Sequence, residues 1–347
     1  MIADKIGDDS MDKAKLLFNK EYEDFYKMVE DNEVFSRYCL ETHGIDFSQD
    51  GFSDKKQIDD LLLISGLKPG DSVLEVGCGN GKMAEYIASK TGTTVYGFDY
   101  SQNAITSAKK RAEENDKLIF DVGAIGEKVY PPNSFDAIIS IDSVCYTLDV
   151  EGFVEQLYTW LKPNGLLLTY YSEGQMKGIS RNADNTDLAL ALKKVVIPYL
   201  AVDYTRQHFE FLKHKREVIE KHKDLFLQND MEFYYQCAVS TSIGESMSYE
   251  DFIKQFSRYL YVARKNIAEQ KITDDIEEDE EDMNNSVKIA QNTEVNKVVE
   301  TTVEENDKNL NPNNTNLRNN RVNIPRNNVP NAFNNRQPRR LFSIRRF

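Results

Sequence analysis

A chain of 347 residues with a formal net charge of −14 has room for one large domain or two small ones. Its surface disfavours long-range attraction to nucleic acid or to an anionic membrane. The four cysteines, Cys39, Cys78, Cys145 and Cys237, form no C-x-x-C pair, so neither a zinc site nor a disulfide framework is expected, and a reducing cytosol fits. No apolar run approaches the roughly 20 residues that cross a membrane. The charged stretch MIADKIGDDSMDKAK does not read as a signal peptide, so a cytoplasmic protein is expected.

Residues 10–43 read as one or two amphipathic helices. Leu17, Phe18, Tyr22, Phe25, Tyr26 and Val29 recur at three- and four-residue steps, and Val34, Phe35, Tyr38 and Leu40 follow. With His43 and Gly44 they make an expected N-terminal helical cap, 1–53, ahead of a main domain over 54–270. Ile58, Leu61 and Leu62 mark another helix, stopped by Gly66 and the turn Lys68-Pro69-Gly70. Strands near 72–76, 94–98, 118–122, 136–141 and 165–171 then alternate with helices near 81–90, 102–114 and 150–160. That alternation demands right-handed parallel crossovers. After Tyr171 come a loop over 172–185, a helix carrying Leu188, Leu190, Leu192 and Val195, a break at Pro198, and a charged helix from about Thr205 to Leu227. His208 and His222 on that last helix are expected to face solvent. Beyond Gln270 lie an acidic block (Asp274 to Asn285), an Asn-rich stretch and an Arg-bearing end. Residues 271–347 hold too few apolar groups to offset the entropy of ordering, so a disordered tail is expected.

The most informative stretch is VLEVGCGNGK, Val73 to Lys82. A strand carrying Glu75 runs into Gly77, Gly79 and Gly81, and a helix with Met83, Ala84, Ile87 and Ala88 on one face begins at once. Such a turn lets backbone pass close to a ligand, as at nucleotide sites. The next strand, Thr93 to Phe98, ends in Asp99, twenty residues after Gly79. At that offset a carboxylate meets ribose hydroxyls. Asp99 also stands ahead of Ser101, where it serves a helix start, and the two roles are compatible.

Nicotinamide dehydrogenases place the third glycine one position later. G-x-G-x-G with an acid ahead of it resembles motif I of class I S-adenosylmethionine-dependent methyltransferases. Pro131 to Asp149 and Leu161 to Tyr171 resemble the fourth and fifth strands of the same family, so the resemblance extends over Leu67 to Tyr171. It implies a doubly wound, seven-stranded Rossmann-like methyltransferase sheet, with the N-terminal cap and a helical insertion after strand 5, about 172–230, as a lid. Met231 to Val239 and Arg258 to Arg264 then resemble strands 6 and 7, an antiparallel edge pair. The implied cofactor is S-adenosyl-L-methionine, held by Glu75, Gly77, Gly79 and Asp99, with Tyr100 packing on the adenine. Where the family often has an acid facing the adenine amine, this chain has Ala124, so backbone at Ala124 or Ile125, or Asp121 reaching across, is expected to serve.

The acceptor side offers Asp142, as a base or as a structural acid, and Tyr146 as a pocket wall. His43 is the one histidine in position to be considered as a base. Tyr22, Tyr26 and Tyr171 stand among the aromatics expected around the acceptor, which are ordinary packing or a cation–π pocket for a small amine. The acid-or-Asn, Pro-Pro, aromatic signature of base amino-methylating enzymes is absent. No metal-ligand cluster is apparent, and none is needed for an in-line methyl displacement. The expected function is methyl transfer to a small-molecule acceptor. Its rivals are an RNA or protein methyltransferase gripping its target through the Arg-rich tail, and a non-catalytic S-adenosylmethionine-binding module. Acceptor identity, methylated atom and oligomeric state are left open.

Overall fold

The strand signals resolve into one sheet because each apolar run has a helix on either side to cover it. The computed structural model describes residues 20, 22–49, 51–147, 149–174 and 182–266; the expected tail, 271–347, lies outside them. In chain order the elements are α1 (22–29), α2 (Glu33–His43), α3 (Lys55–Ser65), β1 (Ser72–Val76), α4 (Lys82–Thr91), β2 (Thr94–Asp99), α5 (Gln102–Ala112), β3 (Leu118–Val122) and β4 (Phe135–Ile141). A 3-10 turn (Val144–Tyr146) precedes α6 (Val150–Trp160), β5 (Leu161–Gly174), α7 (Asp187–Lys194) and β6 (Tyr199–Asp203). Then come α8 (Thr205–Lys221), α9 (Lys223–Gln228), α10 (Glu232–Ser240), α11 (Tyr249–Phe252) and β7 (Phe256–Arg264).

The sheet order is β3-β2-β1-β4-β5-β7-β6, with β7 antiparallel to both its neighbours. β1 sits between β2 and β4, where the order reverses, so the crevice for a ligand opens beyond the carboxyl ends of these strands. On one face α6 and α7 bury Phe153, Leu157, Trp160, Leu188 and Leu192 against Leu74, Phe98 and Ile138. On the other, α3, α4 and α5 bury Leu61, Ala84, Ile87 and Ile105 against Val73, Val95 and Ile139.

The expected fold class and the expected added helices are both present, but the added helices are placed differently in the chain. Among the described residues the connection after β5 holds one helix, α7, and the sixth strand is Tyr199–Asp203. The extra helices lie between β6 and β7. The stretch Met231 to Val239, expected to be the sixth strand, forms most of α10. Its buried positions Met231, Tyr235 and Ala238 recur at helical spacing, one face packing on α8.

The cap is assembled from the first helices and from helices between β6 and β7. Phe25 and Val29 of α1, Phe35 and Tyr38 of α2, Val218 and Ile219 of α8, Phe226 of α9 and Tyr235 of α10 form a separate core. Each fully buried Phe or Val contributes about 1.5–3 kcal/mol. That is enough to hold α1, which would be marginal alone at its length. Docking of α8 against several elements also buries His208 and His222, at 1% and 3% exposure, contrary to the solvent-facing expectation. The His208 ring lies between Phe52 and Phe252.

Candidate active site

The turn after β1 is folded back by two hydrogen bonds, Gly77 N and Cys78 N each donating to Phe98 O at 2.9 and 3.1 Å. Gly77 and Gly79 have φ of 71° and 53°, which glycine adopts without strain. A Cβ on Gly77 would stand 2.6 Å from Ser143 Oγ, and one on Gly79 would meet the Tyr26 hydroxyl. Gly79 N donates to Asp99 Oδ2 at 3.0 Å, and Ser101 N donates to Oδ1 at 2.9 Å. Asp99 therefore ties the glycine turn to the start of α5, whose N-cap is Ser101. Burial pushes the Asp99 carboxyl up to about 6, against the lowering effect of those two N–H donors.

Glu75 is the most informative group in the cradle. It is 1% exposed and neither carboxylate oxygen has a hydrogen-bond partner. Burial, with Asp99 nearby, holds its pKa well above the carboxylate range. The amide of Asn80 is buried without partners as well. Unpaired buried polar groups cost roughly 1–3 kcal/mol each, so their retention beside a glycine turn marks a place built to receive a polar ligand. A donor with a cationic sulfonium, an ammonium and ribose hydroxyls fits two carboxylates and close backbone.

Tyr100, at the next position after Asp99, packs edge-on against Tyr22 with ring centroids 6.0 Å apart. Ala124 and Ile125 follow β3 half-buried, and Ile125 packs against the sheet core. Asp121 is paired with Lys128 and largely exposed.

Helix α1 closes over this cradle. Glu23 caps α5: its carboxylate accepts from Gln102 N at 2.6 Å, Asn103 N at 3.1 Å and Ser101 Oγ at 3.0 Å. An acid at a helix N-terminus also gains from the helix dipole. This contact sets the flanking Tyr22 and Tyr26 on the site. The Tyr22 and Tyr146 hydroxyls are 2.7 Å apart, and Tyr26 is pushed well above the usual tyrosine pKa by burial and by Asp99. Tyr146 remains 46% exposed. Sequence reasoning missed Glu23, because its partners lie about eighty positions away and nothing local distinguishes it.

Asp142 is not a free carboxylate. The fully buried Arg258 donates to Oδ1 at 2.5 Å and to Oδ2 at 3.2 Å, and Phe52 N donates to Oδ2 at 3.0 Å. A base whose oxygens are all engaged has little capacity for a further proton, so the structural alternative for Asp142 gains. His43 is 1% exposed, Nδ1–H donating to Ser53 O at 2.9 Å with its ring against Phe211. Burial holds His43 down at about 3, far below a base suited to neutral pH. Tyr171, expected at the acceptor, is 6% exposed and belongs to the α6–α7 core. Strand alternation sends Tyr170 to the opposite face, its hydroxyl donating to Gln57 O at 2.9 Å.

A doubly wound sheet with a reversed seventh strand, a glycine turn and an acid ending β2 is the architecture that the resemblance to class I S-adenosylmethionine-dependent methyltransferases implies. Comparison with known proteins agrees: residues 74–169 match the family described as a methyltransferase domain, and the chain carries that domain. Phosphoethanolamine N-methyltransferase 3 of Arabidopsis thaliana is 32% identical over 202 residues, 52% of this chain and 39% of that protein. Sterol 24-C-methyltransferase of Pneumocystis carinii is 36% identical over 113 residues, 32% of this chain and 30% of that protein. The match thus spans well under half the length of these relatives. Among solved structures, phosphoethanolamine N-methyltransferase 2 of Haemonchus contortus shares the fold, with TM-score 0.57 and 22% identity over 71% of this chain and 60% of that one.

Proposed function

We propose that this protein transfers a methyl group from S-adenosyl-L-methionine to a small amine-bearing acceptor, of the phosphoethanolamine kind. When bound, S-adenosylmethionine supplies an activated methyl on a sulfonium. Glu75 and Asp99 would hold its amino-acid and ribose portions, the turn at Gly77 and Gly79 would lie along it, and Tyr100 with backbone at Ala124 and Ile125 would receive the adenine. The observation that carries this reading is the buried, unpartnered Glu75 beside a glycine turn that α1 covers with Tyr22 and Tyr26.

Tyrosine rings attract ammonium groups through their faces, and Tyr22, Tyr26, Tyr100 and Tyr146 cluster at the mouth. Holding amine, methyl and sulfur in line under a cover that excludes water is where most of the rate comes from. The Tyr22–Tyr146 hydroxyl pair would relay the proton that the amine loses outward to solvent, each phenol giving up its own proton as it accepts one. Four free cysteines support a reducing, cytoplasmic setting. The test is labelled methyl transfer to a panel of phosphoethanolamine, ethanolamine and a sterol. Labelled phosphoethanolamine product supports the reading. Label only in the sterol, or only in RNA or protein when a cell extract is supplied, refutes it.

A further inference from the structure

Strand β7 carries Arg258 opposite Ser172 of β5, and the side chain is 0% exposed. All five of its N–H groups are used. Nε donates to Gln57 Oε1 at 3.1 Å, one terminal nitrogen to Asp142 Oδ1 and Ser172 Oγ at 2.5 Å each, and the other to Ser53 Oγ at 2.6 Å and Asp142 Oδ2 at 3.2 Å. The guanidinium also lies 5.0 Å from the Tyr170 ring centroid. Its acceptors come from the joint between cap and α3, the end of β4 and the end of β5.

Asp142 extends the same unit. It has φ of 56°, a left-handed conformation that a side chain adopts at a cost unless its surroundings impose it. Its carboxylate accepts from Phe52 N, so the segment that links the cap helices to α3 is fastened to the end of β4. Four residues after Asp142 stands Tyr146, whose hydroxyl meets Tyr22 of the cap.

We propose that Arg258 is the positioning residue of this site: its guanidinium holds Asp142 and the 51–53 segment in one register, so that Tyr146 and Tyr22 meet above the cradle, and Asp142 serves as its counter-ion, not as the proton acceptor. The part concerning turnover rests on the methyltransferase reading. Lysine keeps the charge but cannot reproduce the planar five-donor fork. Arg258→Lys is therefore the informative change, with Asp142→Asn as its conservative counterpart.

The experiment uses the full chain as wild type, Arg258→Lys, Asp142→Asn and the double variant. Three quantities are measured: S-adenosylhomocysteine affinity by calorimetry, amide exchange over 51–57, and kcat and KM with labelled S-adenosylmethionine and phosphoethanolamine. Each single variant is expected to speed exchange over 51–57 and to lower kcat roughly 10- to 100-fold, the scale of a misplaced reactant. S-adenosylhomocysteine affinity should stay within about threefold, since neither side chain hydrogen-bonds to the glycine turn, Glu75 or Asp99, and the double variant should be no worse than the poorer single one. Loss of turnover in Asp142→Asn with Arg258→Lys behaving as wild type would identify Asp142 as a base and overturn the proposal. Wild-type exchange in both single variants would overturn it too. If wild type does not methylate phosphoethanolamine, the acceptor reading fails, while exchange over 51–57 still decides the role of Arg258.

Discussion

Two acids at the ends of neighbouring parallel strands have opposite surroundings. Glu75, near the end of β1, is buried with no partner on either oxygen, whereas Asp142, just past β4, takes two donors from Arg258 and one from Phe52. The fold spends a guanidinium on one acid and leaves the other bare. An acid saturated by protein groups is architecture, and one left bare in a glycine-lined crevice is held for a ligand. The difference separates the cradle, which binds the donor, from the joint, which sets the cap over it.

The cradle breaks most completely at Gly79. A branched side chain there meets the Tyr26 hydroxyl at a backbone conformation valine resists. Gly79→Val should weaken S-adenosylhomocysteine binding more than about a hundredfold while the fold survives. Calorimetry with circular dichroism checks both halves.

The joint should break through stability instead. Arg258→Met leaves the partly buried Asp142 carboxylate without its counter-ion and Gln57, Ser53 and Ser172 without their donor, and should cost up to about 3–5 kcal/mol in denaturant unfolding. Glu75→Gln should do the reverse. Glu75 is buried with no partner on either oxygen, and burial raises its pKa, so a neutral amide of the same shape removes no contact and the ligand-free stability should barely change. Loss of a charged hydrogen bond to the ligand, about 1.5–3 kcal/mol, should lower S-adenosylhomocysteine affinity roughly tenfold or more. If Glu75→Gln unfolded the chain and left binding intact, the contrast between the two acids would collapse.

Asp99 gives a finer test, by pH. Its ligand-free pKa is raised to about 6, so the acid is protonated below that pH and ionised above it. Ribose hydroxyls favour the ionised acceptor. Affinity for S-adenosylhomocysteine should therefore be flat above about pH 7 and fall as pH drops through 6, by at most about tenfold per unit. Asp99→Asn should remove that slope. The smallest effect is expected from truncation after Gln270, which should leave S-adenosylhomocysteine affinity unchanged, as measured on both chains side by side.

What could be read from the sequence follows from how local its causes are. The turn at Gly77–Gly81 and the acid ending β2 are set by neighbours in the chain, so strand, turn and helix were legible there. Met231 to Val239 is a short apolar and aromatic run, which fits strand and helix alike, and only packing against α8 decides for the helix. The true β6, Tyr199–Asp203, is a five-residue edge strand just after Pro198 and gives almost no periodic signal. Glu23 and Arg258 were illegible because their partners are distant: Arg258 meets Asp142 across 116 positions and Gln57 across 201. The reading of His43 as a base was weakened by burial, which no linear pattern reveals.

The central claim is that the capped cradle carries out methyl transfer to an amine. It is tested most directly by incubating wild type and Gly79→Val with methyl-labelled S-adenosylmethionine and phosphoethanolamine and resolving the products. The account predicts labelled N-methylated product with wild type and none with Gly79→Val. Firm S-adenosylhomocysteine binding by wild type with no label in phosphoethanolamine or ethanolamine would contradict it.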